Sequence, residues 1–264
     1  MDFQHIVPPA YLQPYVRYFW ALSSSTVADT PKTFKTIADG SPGLIFQHSD
    51  KGHFEQFGKQ LATVFLYGQA TTFTEIISPA SFQTIGVYFH PHALKSVFGL
   101  NAQDLTDGCM EISGQLPEQL LNATNTQQQI DILAAYLYKN ILLHQGLTDA
   151  ALYHALQRIT NSAGNISLKT ILDELQMSER SFERKFLQHI GMTPKLFARI
   201  CRFQASLNQL RNNQFTRLSD IAFEQEYADQ SHFIRAFKEF AGTAPLKYQR
   251  QSIEIVENFP ELIK

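Results

Sequence analysis

Six polar side chains in the C-terminal half of the chain have the chemistry needed to read DNA bases. Arg180, Ser181 and Arg184 lie in one segment, and Gln230, Ser231 and Arg235 lie in a second. Arginine can bond the O6 and N7 atoms of guanine as a pair, and glutamine can do the same with N6 and N7 of adenine. Because the major groove, about 12 Å wide, admits one α-helix, each set would have to project from the outer face of a helix.

Residues 217–245 have the pattern that would position the second set. Apolar residues recur at helical spacing up to Ala222, and Asp229 is a suitable N-cap for a second helix. That second helix would bury one aromatic face formed by Phe233, Phe237 and Phe240. Gly242 predicts its end, and Pro245 suits the first turn of another helix. The pattern predicts a helix-turn-helix whose second helix is exposed.

Residues 167–194 repeat this pattern, with one residue fewer in the turn. The matching residues are Ile171, Phe182, Phe186, Gly191 and Pro194 in the first copy and Ile221, Phe233, Phe237, Gly242 and Pro245 in the second. Ser178 takes the N-cap place of Asp229, and Lys185 and His232 are further outward positions. Apolar periodicity from Pro194 to about Asn213 predicts a linker helix between the copies. Two reading helices on a rigid linker would enter successive major grooves, about 34 Å apart on straight DNA.

Two copies in register favour a DNA-binding domain over a helical bundle whose arginines are merely solvated. The alternative class is a small-molecule-binding or enzymatic protein whose helical half mediates protein contacts. No nucleophile–base pair, phosphate loop or paired carboxylates stand out, so the sequence predicts no enzyme, no catalytic residue and no cofactor. His90 and His92 could begin a metal site, but a turn around Pro91 is the favoured interpretation, and no metal is predicted.

Charge is distributed unevenly along a chain whose formal net charge is −2. Residues 1–160 hold 8 basic and 12 acidic residues, whereas residues 161–251 hold 13 and 9. A basic C-terminal half next to an acidic N-terminal half favours double-stranded DNA, an anionic partner, for the C-terminal half.

The first 145 residues predict a β-rich domain. Short apolar segments separated by turn residues occur at residues 16–20, 33–37, 44–46, 54–57, 62–67, 73–77 and 84–89. Helical periodicity follows at 93–98 and 127–144, and Thr148 is a candidate N-cap for the next helix. The predicted fold class is α+β: a β-rich N-terminal domain with trailing helices (1–145) and an all-α double helix-turn-helix domain (148–251). The units at 167–194 and 217–245 are joined by the linker helix, and residues 252–264 form a tail.

Residues 150–250 resemble the DNA-binding domain of the AraC/XylS family of bacterial transcription regulators. The most specific part is DQSHFIRAFKEFAGTAP at residues 229–245, which is close to the signature of that family's second unit. The resemblance implies that the six side chains read bases and that the protein activates or represses transcription, with RNA polymerase as a further candidate partner. The family usually has glycine in each turn, where this chain has Gln176 and Glu226. A left-handed residue other than glycine costs roughly 1 kcal/mol.

The N-terminal part resembles, more loosely, a domain of unknown function found in some members of that family. The matching pieces are ADG at 38–40, YGQ at 67–69 and GVYFHP at 86–91. In that resemblance the domain senses an unidentified small-molecule effector or mediates dimerisation. The helix at 127–144 could pair with a second chain or pack on its own domain, so a monomer and a homodimer are both open.

The sequence also predicts a cytoplasmic protein without a membrane segment. It has no run of about 18 apolar residues and no basic-then-apolar leader pattern. Cys109 and Cys201 lack metal-ligand spacing and fit a reducing compartment as buried small side chains.

Overall fold

The computed structural model describes residues 2–25 and 31–251, so the predicted tail, 252–264, lies outside the described residues. The N-terminal part is built on antiparallel strands: β1 Asp2–Ile6, β2 Val16–Ser25, β3 Lys32–Thr36, β4 Gly43–His48, β5 Glu55–Gln56, β6 Lys59–Gln60, β7 Val64–Tyr67, β8 Thr74–Ser78, β9 Ser81–Phe89 and β10 Cys109–Glu111. They form a six-stranded sheet of order β1-β2-β9-β4-β7-β10 and a four-stranded sheet of order β3-β8-β5-β6.

The four inner strands of the six-stranded sheet, β2, β9, β4 and β7, are buried on both faces, because side chains alternate along each strand and both sets are largely apolar. Phe19 and Val87 belong to the core that the sheet shares with α1 (Ala93–Phe98), α2 (Gln115–Leu121) and α3 (Thr126–Leu143). Trp20 and Phe82 belong to a second core, shared with the four-stranded sheet through Phe34. The second core separates the two sheets and surrounds a cavity.

The edge strands β1, β6 and β10 come in addition to the predicted strands. Their side chains are largely exposed, and backbone hydrogen bonds attach them to β2, β5 and β7. An edge strand of this kind needs no alternating apolar pattern, so its sequence gives no strand signal. Cys109, in β10, is exposed, so the expectation that both cysteines are buried was wrong.

The C-terminal part is entirely helical. Its helices are α4 Ala150–Asn161, α5 Leu168–Leu175, α6 Glu179–Ile190, α7 Pro194–Arg211, α8 Leu218–Glu224, α9 Gln230–Ala241 and α10 Pro245–Gln251. The two repeated segments fold as α5–α6 and α8–α9, and α7 is the linker helix. The predicted α+β fold is therefore confirmed, while the N-cap of α4 is Asp149 rather than the predicted Thr148.

Helix α7 lies at the centre of this part because it supplies apolar residues to both helical pairs. Phe197 contacts Phe186 of α6 with ring centroids 5.6 Å apart, and Phe203 contacts Phe237 of α9 at 5.3 Å. All four rings are buried. Truncating one such ring to alanine typically costs about 3–5 kcal/mol, so these contacts fix α6 and α9 firmly on α7.

Both turns contain the left-handed residue that the sequence predicted. Gln176 has φ 52° and Glu226 has φ 54°, the region that usually requires glycine. Both side chains are exposed, so the strain is purely local to the backbone.

Candidate nucleic-acid interface

Helix α6 presents the first set of predicted base-reading residues. Its N-cap, Ser178, accepts a hydrogen bond from the backbone N of Ser181 at 3.4 Å, and Gly191 ends it in the left-handed conformation. Since Phe182 and Phe186 occupy the buried face, Arg180 and Arg184 are exposed and Ser181 is half-buried.

Helix α9 presents the second set in the same way. Asp229 accepts a hydrogen bond from the backbone N of His232 at 2.7 Å and so caps the helix. Gln230, Ser231 and Arg235 are all exposed, opposite the buried aromatic face. The structure thus places the six predicted residues on the outer faces of two equivalent helices, towards their N-terminal ends.

The three arginines of these sets differ from others in the same part of the chain. Within residues 2–25 and 31–251, the guanidinium groups of Arg180, Arg184 and Arg235 have no hydrogen bond or ion pair. Other arginines are bonded internally: Arg158 to Glu174 at 2.6 Å, Arg199 to Glu239 at 2.6 Å and Arg202 to Asn165 at 2.7 Å. The arginines on the two outer faces therefore keep all their donors for an external acceptor.

Two further outward positions have internal roles instead. The Nζ atom of Lys185 bonds the Asp149 carboxylate at 2.6 Å, which ties α6 to the N-terminus of α4. Burial acts to raise the pKa of Asp149, but the hydrogen bonds from Lys185 and from the backbone N of Leu152, together with the charge of Lys185, lower it overall. The half-buried His232 ring packs edge-on against Tyr227 at 5.4 Å, and its Nδ1 atom accepts from the Ala228 backbone N at 3.4 Å. Lys185 and His232 therefore help to position the helices.

The C-terminal ends of both helices are held by the N-terminal part. The Thr106 hydroxyl donates to the carbonyl of Gly191, directly after α6, at 2.7 Å. At the end of α9, the Thr72 hydroxyl donates to the carbonyl of Glu239 at 3.0 Å, and the Ala38 backbone N donates to that of Phe240 at 3.2 Å. The last carbonyls of a helix lack intrahelical donors, so these three bonds satisfy groups that would otherwise need water.

Close packing accompanies these hydrogen bonds. A Cβ atom at Gly191 would overlap the Thr106 hydroxyl, and one at Gly242 would lie 2.6 Å from the Phe73 ring. The Nε2 atom of Gln204, on α7, also donates to the Ala38 carbonyl at 2.6 Å. The ADG segment at 38–40, part of the N-terminal resemblance, thus contacts both α7 and the end of α9.

Of the two histidines considered as a metal site, His92 faces the C-terminal part, where its ring packs edge-on against Tyr153 at 5.8 Å. The His90 and His92 rings stack with centroids 6.0 Å apart, and burial lowers the pKa of each from 6.5 to about 4. In the portion of the chain that the structure describes, no three His, Cys, Asp or Glu side chains are grouped to hold a metal ion. None of the described helices is long and apolar enough to cross a membrane.

Two family models match separate parts of the chain. A domain of unknown function (DUF6597) matches residues 4–111, and a helix-turn-helix domain matches residues 171–251. The chain is 31% identical over 151 residues to an uncharacterized HTH-type transcriptional regulator of Haemophilus influenzae, covering 51% of this chain and 49% of that protein. It is 31% identical over 115 residues to the HTH-type transcriptional activator RhaS of Escherichia fergusonii, covering 43% and 41%. The chain thus spans about half the length of the first relative and two fifths of the second.

Solved structures show more distant likenesses. ToxT of Vibrio cholerae O395 aligns with a TM-score of 0.47 and 12% identity, over 96% of this chain and 99% of ToxT. The C-terminal domain of AraT from Geobacillus stearothermophilus aligns with a TM-score of 0.36 and 21% identity, over 44% of this chain and 93% of that domain.

The fold and the matched domain define a protein of the helix-turn-helix class. Its C-terminal domain is a helix-turn-helix domain of the AraC type. The resemblance drawn from residues 229–245 is confirmed.

Proposed function

We propose that the chain is a sequence-specific DNA-binding transcription regulator whose helices α6 and α9 read successive major grooves on one face of the DNA. The observation that carries this proposal is the pair of exposed, internally unpaired arginines, Arg184 and Arg235, at equivalent places on two helix-turn-helix units, with Arg180 as a third on the first unit. A guanidinium fork without an internal partner can bond guanine bidentately. Because α7 fixes both helices, a separation shorter than about 34 Å would require bent DNA, at about 1–6 kcal/mol.

Each predicted residue then has a distinct task. Arg180, Arg184 and Arg235 would read guanines, and Gln230 would read an adenine. Ser181 and Ser231 can donate to or accept from either kind of base edge. These assignments are supported by the exposure of the residues and by the way the buried aromatic face orients each helix.

The N-terminal domain would modulate this activity, because it holds the C-terminal ends of both reading helices. A shift of Thr106, Thr72 or Ala38 would change the positions of α6 and α9. It would therefore change how well the two helices fit two successive major grooves. RNA polymerase is the further partner that we expect for activation, and the protein could act as a monomer or a homodimer. Since the proposed partner is double-stranded DNA, we expect the protein in the cytoplasm.

The test begins with selection of bound fragments from random DNA by the full-length chain. Arg235→Ala should then weaken binding to the selected site by about 1–3 kcal/mol and relax its preference at one base pair, measured by anisotropy titration. Arg158→Ala is the matched control, because it removes the same charge from an arginine that already has an internal partner.

Two outcomes would contradict the proposal at different levels. Unchanged base preference in Arg235→Ala would refute the role of that residue. Binding to mixed DNA without a steep decrease as salt rises would remove the DNA-binding function itself, since phosphate contacts release counterions.

A further inference from the structure

A cavity of about 120 Å³ lies between the two sheets of the N-terminal part. Its wall is mostly apolar and includes Trp20, Ile37, Ile45, Phe65, Phe73 and Ile76. In another protein an apolar cavity of about 150 Å³ accommodates benzene, so this space suits an apolar group about the size of one small ring. The aromatic wall also offers ring faces that attract a positive charge.

Polar residues also line the cavity: Asp39 and Tyr67 on one wall, and further Thr36, Gln56, Thr72, Thr74 and Asp107. The Asp39 carboxylate accepts hydrogen bonds from the backbone N of Ser41 at 3.0 Å and from the Tyr88 hydroxyl at 2.8 Å. No Lys, Arg or His nitrogen of the described residues forms an ion pair with it. Burial raises the pKa of Asp39, and the hydrogen bonds from Ser41 and Tyr88 and the charge of Arg17 offset only part of this rise.

Tyr67 supplies the second polar group of this wall. Its ring lies against Gly43, where a Cβ atom would overlap the phenolic oxygen. Among the described residues, that hydroxyl has no hydrogen-bond partner. The wall therefore combines a carboxylate that has no ion-pair partner among the described residues and a hydroxyl that can still bond a ligand.

We propose that this cavity binds a small organic cation, a ring-sized apolar group with one ammonium that pairs with Asp39. A buried carboxylate is stabilised strongly by an opposite charge within hydrogen-bond distance, because little solvent screens the pair. A carboxylate ligand of the same shape would instead meet like charge at Asp39. The apolar body would fill the space against the aromatic wall and remove that surface from water.

The regulatory consequence rests on the proposed DNA-binding function. Asp39 adjoins Ala38, whose backbone N and O bond Phe240 and Gln204. Thr72 and Phe73 also line the cavity, and they contact the end of α9. A ligand that shifts this wall therefore acts on the position of a reading helix.

Binding is tested with benzylamine as the probe and benzoate as its counterpart of opposite charge, using calorimetry on the full-length chain. Benzylamine should bind saturably, and benzoate should not bind over the same concentrations. Asp39→Asn should weaken benzylamine binding about 10- to 100-fold, the range for a hydrogen bond to a charged group. Asp50→Asn, which changes an exposed carboxylate outside the cavity, should leave it unchanged.

Equal binding of benzylamine and benzoate, or binding insensitive to Asp39→Asn, would overturn the proposed site. If Asp39→Asn fails to fold, Ala70→Leu tests the same site. The larger side chain fills the cavity from its wall and leaves the Asp39 carboxylate in place. Benzylamine should then no longer bind, and undiminished binding would place the probe elsewhere.

A DNA titration separates this inference from the proposed function. Saturating benzylamine should change the affinity for the selected DNA fragment several-fold in the unmodified chain and in Asp50→Asn, but not in Asp39→Asn. Benzylamine binding without any change in DNA affinity would refute the coupling. Failure of the chain to bind any DNA would refute the proposed function, while the calorimetry still decides the cation site.

Discussion

Replacing Gly242 by alanine should destabilise the protein through two separate effects at one residue. Gly242 has φ +68°, and an L-residue in the left-handed region costs about 1–2 kcal/mol. The added Cβ atom would also lie 2.6–2.7 Å from three atoms of the Phe73 ring, well inside ordinary contact distance. Overpacking of this kind typically costs about 1–3 kcal/mol, so we expect a total loss of about 2–5 kcal/mol.

Gly146→Ala is the matched control for the backbone effect alone. Gly146 has φ +95°, and a Cβ atom there would have no neighbour within 4 Å. Urea unfolding followed by linear extrapolation should therefore give a loss of only about 1–2 kcal/mol for this variant. The difference between the two losses of unfolding free energy measures how closely Phe73 packs against the end of α9.

A double variant identifies why Gly242→Ala should lose more unfolding free energy than Gly146→Ala. In a Phe73→Ala background the ring is gone, so Gly242→Ala should cost no more than Gly146→Ala does. If Gly242→Ala in the unmodified chain is as mild as Gly146→Ala, the packing of the N-terminal part on α9 does not persist in solution. The reasoning that makes this contact a regulatory one would then be wrong.

Two other variants test the turn and the buried histidines. Glu226→Gln removes an exposed negative charge from the turn before α9. It should raise the affinity for mixed DNA a few-fold at low salt and much less at high salt, because salt screens exposed charges. If the variant and the unmodified chain bind mixed DNA equally well at low salt, Glu226 lies away from the DNA. Burial lowers the pKa of His92 to about 4, so between this pH and about 6.5 the unfolded chain binds more protons than the folded one. The free energy of unfolding should therefore fall as the pH drops through this range, by up to about 3 kcal/mol for this residue. His92→Gln should remove that part of the dependence in pH-dependent urea titrations, and an unchanged profile would show that His92 is not buried as the neutral form.

The helix-turn-helix units could be predicted because their signals are local. The spacing of Phe182 and Phe186 recurs in Phe233 and Phe237, and each helix ends at a glycine that takes the left-handed conformation. An exposed residue on a helix follows from the position of its buried neighbours, so the six base-reading candidates emerged on the outer faces. Whether they read bases stays a prediction.

The sequence could not predict which polar residues are used internally. Lys185 pairs with Asp149, 36 residues earlier, and nothing in the local pattern of α6 distinguishes it from Arg184. The edge strands and the contact between the two parts are equally non-local. Thr72 and Glu239 are 167 residues apart and both exposed, so neither burial nor periodicity marks them.

One more contact shows why the two reading helices should respond together. The Asp107 carboxylate accepts hydrogen bonds from the backbone N and the hydroxyl of Thr71, at 2.7 and 2.6 Å. Thr71 precedes the residue that holds the end of α9, and Asp107 follows the residue that holds the end of α6. Asp107 and Thr72 both line the cavity, so a ligand there would contact the hydrogen-bonded segments that hold the ends of α6 and α9. It would then change how α6 and α9 are spaced relative to each other, and so select between DNA sites by the separation of their two grooves, leaving the bases read by each helix the same.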